Sequence, residues 1–361
     1  MSRQPTHREH PGLPAPSSLV QFEAWRAYQL PPVEQVREGV WSVPLPLPPG
    51  NPMTYVNCYA LAAPQGVTVV DPGWDHEEGW LALKSGLSTL GAAVDDVTHV
   101  LVTHFHPDHF GLAPRLRATA HARVLMHAAD AGVIAPDHRS IDETLQVIAE
   151  FLRSCGTPAA EITDLLHERA LIERLRTASG PDGYLAAGEV LTVGGHDVMA
   201  VWTPGHTRGH LCFYLRKEEL LLTGDHVLPR ISPNVSVYDH SPASPLDDFL
   251  VSLEMLRRLP VSEVLPAHEY RFSGLGARLD ELIKHHDQRL DQVLDLLRGG
   301  GAATSWDLAA RMGWSRTWEQ MAGYTRRSAN GEILAHLVVL ERRGLAVRTA
   351  GTPQLWTAAS R

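Results

Sequence analysis

The chain has 361 residues, 44% of them hydrophobic and 20% charged, which excludes a disordered or fibrous protein and fits two domains or one large domain with an appendage. Its 32 Lys and Arg against 41 Asp and Glu give a net charge of −9, so no overall basic field points to nucleic acid. Three scattered cysteines, Cys58, Cys155 and Cys212, exclude a disulfide framework, and no apolar run reaches the ~18 residues of a membrane span, so a cytoplasmic protein without a membrane partner is expected.

Residues 1–30 read as a polar, Pro-rich tail without the apolar stretch of a signal peptide, ordered only where Phe22, Trp25 and Tyr28 find a surface. A larger unit is expected over 31–276. It opens with short strand-like runs, VWSVPL, TYVNCYALAA and VTVVDPG, each bounded by Pro or Gly. A helix from His76 to Leu90 follows, then a buried strand ending at His104, a helix from Asp108 to Ala118 and the strand ARVLMH. Residues 140–178 change texture: two runs with apolar residues at helical spacing, split by Gly-Thr-Pro, predict a helical insertion that covers a nearby site. Strand texture returns as a hairpin turning at Gly194-Gly195, then HLCFYLRKEELLLTGDH. PLDDFLVSLEMLRRL predicts a helix and EVLPAHEY a last strand.

A polar amphipathic helix is expected over 277–298 as a connector, ended by Gly299-Gly300-Gly301. Residues 299–361 then read as a separate module, short helix, longer helix and hairpin, in the pattern of a winged helix. Residues 285–361 carry 10 Arg and no Lys against 7 acids, yet the candidate recognition helix begins SANGEILAH, poor in groups that read bases. Packing or homodimerisation is the stronger expectation for this module.

The chemistry is concentrated in Thr103-His104-Phe105-His106-Pro107-Asp108-His109, with four metal-ligating side chains in six positions where a strand gives way to a helix. His104 and His106 leave an extended chain on the same side, while Asp108 and His109 begin the helix and can face a second ion. His206 in TPGHTRGH, Asp225 in LLLTGDH and His268 in VLPAHEY each lie where a β run stops. Five imidazoles and two carboxylates suffice for two divalent ions. Ligands without thiolate suit Zn, Fe or Mn, with zinc the default. Arg230 and Asn234, in the loop after Asp225, and Tyr270, after His268, are candidates for substrate contact, Tyr270 as donor to a developing oxyanion. Arg208, His210, His127, His138, His285 and His286 are expected to be structural or surface residues.

This pattern, HxHxDH followed by His, Asp and His, resembles the metallo-β-lactamase-fold hydrolase superfamily over about residues 38–275. The resemblance implies an α/β, four-layer αββα sandwich. It implies that His104, His106 and His206 hold one ion, that Asp108, His109 and His268 hold the other, and that Asp225 bridges. Asp71, in VVDPG, matches the family aspartate that orients ligating imidazoles. Two such ions activate a shared water and polarise a substrate oxygen, with Asp108, His109 and Asp225 as the catalytic set. The expected function is hydrolysis of a small ester, thioester or lactone. With its C-terminal module the chain is also similar to the lactamase-beta-like 2 group, which includes an endoribonuclease, so cleavage of single-stranded RNA is the alternative. A ligand-sensing nucleic-acid-binding regulator is a third.

Overall fold

The computed structural model describes residues 14–134, 139–163, 165–177, 180–238 and 243–360; the first 13 residues of the expected tail and His138 lie outside these. The apolar runs form two sheets. The first has the order β1 (Glu34–Arg37), β2 (Val40–Pro46), β3 (Tyr55–Ala63), β4 (Gly66–Val70), β5 (Val97–Leu101), β6 (Arg123–Met126) and β7 (Gly183–Tyr184). Its first four strands are antiparallel and the rest pair in parallel. The second sheet comprises β8 (Val190–Val193), β9 (His196–Trp202), β10 (Leu211–Leu215), β11 (Leu220–Gly224) and β12 (Glu263–Pro266), ordered from β12 at one edge to β8 at the other.

Strands β10, β11 and β12 are buried at every position, as their unbroken apolar sequences require when both faces of a sheet are covered. Between the sheets lie Val40, Leu61, Leu101, Leu125, Phe213, Leu222 and Leu265. On the far side of the first sheet, helices α2 (Glu77–Thr89) and α4 (Ala113–Ala120) contribute Leu83, Leu87 and Leu116 to a second cluster. Helix α9 (Pro245–Leu256) and helix α10 (Leu275–Gly300) cover the second sheet with Phe249, Leu253, Leu282 and Leu290. The layers therefore run helices, sheet, sheet, helices, as expected.

The segment before β1 is ordered where its aromatic residues meet a surface: α1 (Leu19–Arg26) is capped by the Ser18 hydroxyl, and its Phe22 and Trp25 pack on Tyr270. Other local expectations are corrected. The helix expected from Asp108 to Ala118 is two pieces, a single turn α3 (Pro107–Phe110) and α4, because the Leu112 amide donates across to the Gly73 carbonyl at 2.9 Å. A short helix α5 (Ala128–Ile134) follows β6. The insertion holds α6 (Ile141–Ser154), α7 (Ala159–Thr163) and α8 (Leu166–Thr177), the first opened by a reciprocal Ser140–Glu143 capping box. Gly299 and Gly300 do not end the connector: α10 runs through both, and Gly301, at φ 72°, turns the chain.

Beyond it come α11 (Ser305–Arg311), α12 (Tyr324–Arg342) and a hairpin of β13 (Ala346–Arg348) and β14 (Trp356–Ala358). These do not form a core of their own. Leu308, Ile333, Leu337, Val339 and Trp356 belong to the same apolar cluster as Phe249, Leu253 and Leu290.

Candidate metal centre

Every ligand-capable residue singled out stands in a segment leaving the C-terminal end of a strand: Asp71 after β4, the His104–His109 segment (including α3) after β5, His206 after β9, Asp225 after β11 and His268 after β12. The structure brings all seven expected ligands together in two adjoining groups, His104, His106, His206 and Asp225 in one, Asp108, His109 and His268 in the other. In the first, His106 Nδ1 lies 2.9 Å from His104 Nε2 and 3.2 Å from His206 Nε2. In the second, Asp108 Oδ2 lies 3.3 Å from His268 Nε2 and 3.7 Å from His109 Nε2. Asp225 reaches both groups: Oδ2 is 3.7 Å from His206 Nε2, while Oδ1 is 3.3 Å from His268 Nε2 and 3.6 Å from His109 Nε2.

Four imidazoles are aimed by what their other nitrogen meets. His109 Nδ1 donates to Asp71 Oδ2 at 2.8 Å, and His206 Nδ1 donates to the Asn234 carbonyl at 2.7 Å. His268 Nδ1 donates to the Tyr55 carbonyl at 3.1 Å, and His104 Nδ1 donates to the Thr103 hydroxyl at 2.9 Å. Thr103 passes its own hydrogen to Asp71 Oδ2 at 2.7 Å, so one carboxylate orients two rings, one directly and one through a hydroxyl. With Nδ1 protonated, each of the four turns the lone pair of Nε2 inward, the form a cation needs. Asp71 holds this position at φ 51°, a left-handed backbone uncommon outside glycine and the kind of strain that accumulates at working sites.

The donor set fits divalent metal. His109 Nε2 and Asp225 Oδ1 are buried yet make no hydrogen bond among the described residues, a costly arrangement unless a cation satisfies them. The electrostatics divide the two groups. Burial and then neighbouring rings press His104 well below the usual imidazole range and bring His106 to about 3; burial, partly offset by Asp225 and the Asn234 carbonyl, lowers His206. Burial also opposes charge on His109 and His268, but the carboxylates of Asp225 and Asp108 outweigh it and raise both. Asp108 is pushed up by burial and pulled down more strongly by His109 and His268, to about 2, so it is ionised at neutral pH.

Other residues shape the site: Asp130, which the sequence does not signal, and His210, which it marks as structural. Asp130, fully buried, accepts from the Phe105 amide at 3.1 Å, the Thr207 hydroxyl at 2.7 Å and the Gly209 amide at 2.5 Å, pinning the two ligand loops together. His210 accepts from the Asp225 amide at 3.3 Å, and Gly224 makes this possible: a Cβ there would lie 2.8 Å from His210 Nε2.

The three residues expected to contact substrate have these surroundings. Arg230 is engaged by Glu269 at 3.0 Å and lies over the Trp25 ring. Tyr270 is wholly buried against Phe22 and Trp25, and its hydroxyl has no partner among the described residues. Glu269, at φ 67°, turns the chain after His268 and sends Tyr270 into the core. Asn234 acts through its backbone on His206, while its amide donates to the hydroxyls of Ser328 at 2.6 Å and Tyr238 at 3.2 Å.

The family model of the metallo-beta-lactamase superfamily matches residues 52–268. The chain is 28% identical over 273 residues to the lactamase-like protein adaB of Aspergillus niger, covering 74% of this chain and 67% of that protein. It is 26% identical over 314 residues to an atrochrysone carboxyl ACP thioesterase of Aspergillus fumigatus, covering 84% of this chain but only 61% of that protein. A solved metallo-beta-lactamase family protein of Thermus thermophilus is 32% identical, with a TM-score of 0.76 and coverage of 90% of this chain and all of that one. A beta-lactamase domain protein of Burkholderia ambifaria superposes with a TM-score of 0.75 at 28% identity, covering 91% of this chain and 94% of that one.

Proposed function

The chain belongs to the metallo-beta-lactamase superfamily and is a metal-dependent hydrolase; from that premise we propose that it uses two divalent ions, zinc by default, to cleave an ester, thioester or lactone. The observation that carries the two-ion reading is Asp225, whose two oxygens address different histidine groups at 3.7 Å and at 3.3–3.6 Å. Bound there, a pair of divalent ions supplies a water of lowered pKa, near 7, and polarises the substrate carbonyl. His104, His106 and His206 would hold one ion, Asp108, His109 and His268 the other, with Asp225 between. Asp108 is ionised at neutral pH and can accept the proton released as the acyl carbon is attacked, then return it to the departing group. Asp71, Thr103 and the Asn234 and Tyr55 carbonyls keep the imidazoles in the tautomer this requires.

The thioester class draws support from the thioesterase among the relatives, matched over most of this chain. RNA cleavage draws less. If residues 299–361 are a winged helix, four of its arginines are engaged by acids: Arg327 by Glu168, Arg326 by Glu161, Arg342 by Asp247 and Arg348 by Glu341. The test is a panel of acyl thioesters, lactones, aryl esters and labelled single-stranded RNA, run on metal-quantified wild type beside Asp225→Ala. Turnover of an acyl substrate, lost at least about a thousandfold in the variant, is expected. Cleavage of RNA alone would replace this reading with the nuclease.

A further inference from the structure

Of the five ligand imidazoles, His106 is the one that no hydrogen bond from outside the centre aims. Its Nδ1 faces His104 and His206, and its other nitrogen has no hydrogen-bond partner among the described residues. The ring is held by the course of its backbone and by contact with the rings of His104, His206 and Phe105, the last with centroids 4.8 Å apart. The Phe105 amide, between the ligands His104 and His106, donates to Asp130 Oδ2 at 3.1 Å. The same oxygen accepts from the hydroxyl of Thr207, next to His206, at 2.7 Å, and Oδ1 accepts from the Gly209 amide at 2.5 Å. One buried carboxylate of α5 thus joins two ligand segments that lie 100 positions apart in the chain. Residue 209 must be glycine for this approach: a Cβ there would lie 2.5 Å from the Asp130 amide nitrogen and 2.6 Å from its Oδ1. These bonds fall on one side of the centre. In the other group His109 is aimed by Asp71 and His268 by the Tyr55 carbonyl.

We propose that Asp130 is a positioning residue that holds His106 and His206 at the spacing a divalent ion needs, so that the three-histidine group binds its ion through a carboxylate that is not itself a ligand. The inference rests on the two-ion reading for the selectivity it claims, but not for the clamp. Asparagine at 130 would keep the size of the side chain and one acceptor oxygen. Whichever way its amide turned, however, the NH2 would meet a backbone N–H, that of Gly209 or that of Phe105. The two segments then part, and the cost falls on His106 and His206 while Asp108, His109 and His268 keep their own supports.

The test needs no turnover. Metal-free full-length protein is titrated with cobalt(II) by calorimetry in two backgrounds that each leave one group intact, His268→Ala for the three-histidine group and His106→Ala for the other. Asp130→Asn is expected to weaken binding about 10- to 100-fold in the His268→Ala background and to change it by less than about twofold in His106→Ala. A general loss of packing would lower both alike, so equal falls, or none, overturn the proposal. Should Asp130→Asn not fold, Thr207→Val, which deletes the 2.7 Å bond alone, takes its place in both backgrounds, with a selective fall of about tenfold expected and the same outcomes decisive. No cobalt binding in His268→Ala with Asp130 in place also overturns the proposal. Wild-type protein that takes up a single equivalent contradicts the two-ion reading, while the His268→Ala comparison still decides the role of Asp130.

Discussion

At the scale of single residues, the centre depends on hydrogen bonds that decide which imidazole nitrogen is bare. Thr103 has the sharpest consequence, because its hydroxyl accepts from His104 and donates to Asp71. Thr103→Val keeps the shape and deletes both bonds, leaving a buried Nδ1 without an acceptor. Metal affinity, read by competition against a chromogenic chelator, is expected to fall about 10- to 100-fold with the circular dichroism unchanged. An affinity within about twofold of wild type would show that the hydroxyl does not orient the ring. Proton competition should also separate the ions. Raised imidazoles, as at His109 and His268, take up a proton at higher pH than lowered ones, as at His104, His106 and His206. Acidification is therefore expected to expel the ion at Asp108, His109 and His268 first, so that metal content stepped against pH passes through a one-ion plateau. Simultaneous loss, or first loss from the three-histidine group, contradicts this. The ligands themselves were readable because a histidine or aspartate that ends a buried strand announces its position. Of the groups that aim them, Asp71 was legible through the family resemblance of VVDPG; the Asn234 and Tyr55 carbonyls carry no side-chain signature, and Asp130 looks like any helix acid. The burial of Tyr270 was not legible because only the left-handed Glu269 reveals which way the chain turns after His268.

At the scale of elements, the insertion is bolted to α12. Arg327, only 5% exposed at its side chain, receives Glu168 of α8 through two bonds of 2.7 and 2.8 Å and also donates to the Glu161 carbonyl at 3.1 Å. Arg326 pairs with Glu161 at 2.6 Å. A cation so enclosed tolerates its partner but not the loss of it. Glu168→Ala is expected to cost about 3 kcal/mol in denaturant unfolding and to speed proteolysis within 140–178, whereas a Glu168→Met, Arg327→Met double variant should recover most of the loss. If the double variant is as unstable as the single, the cost lies in packing and not in the stranded charge. The helices of this region were legible from apolar spacing, which is local. Their docking partner lies some 160 residues away and is paired by charges that read, in sequence, as an ordinary solvated surface.

At the scale of the molecule, the apolar residues of 299–361 share one cluster with those of α9 and α10. The glycine triplet suggested a boundary, but α10 continues through two of the three glycines, and α12 rests on both α9 and α10. Cutting the chain after residue 300 would lay bare the faces that carry Phe249, Leu253, Leu256, Leu290, Val293 and Leu294, all buried in the cluster shared with α11, α12 and β14. Re-exposing six such side chains at about 1.5 kcal/mol each amounts to about 9 kcal/mol, as large as the whole stability of a typical domain at ~5–15 kcal/mol. The cut would also remove the Ser328 hydroxyl from Asn234, and with it part of the support for His206. A 1–300 fragment is therefore expected to aggregate or unfold without cooperativity and to bind less than one equivalent of metal. Adding 301–361 as a separate chain should restore at most a trace, because Gly156 packs on Thr304 and the Gln354 amide donates to the Ser154 carbonyl at 2.8 Å, contacts that must assemble with the insertion during folding. A soluble fragment with a sharp unfolding transition and two equivalents of metal would mean that the sandwich stands alone, and that the cluster uniting it with the C-terminal helices contributes little to holding it together.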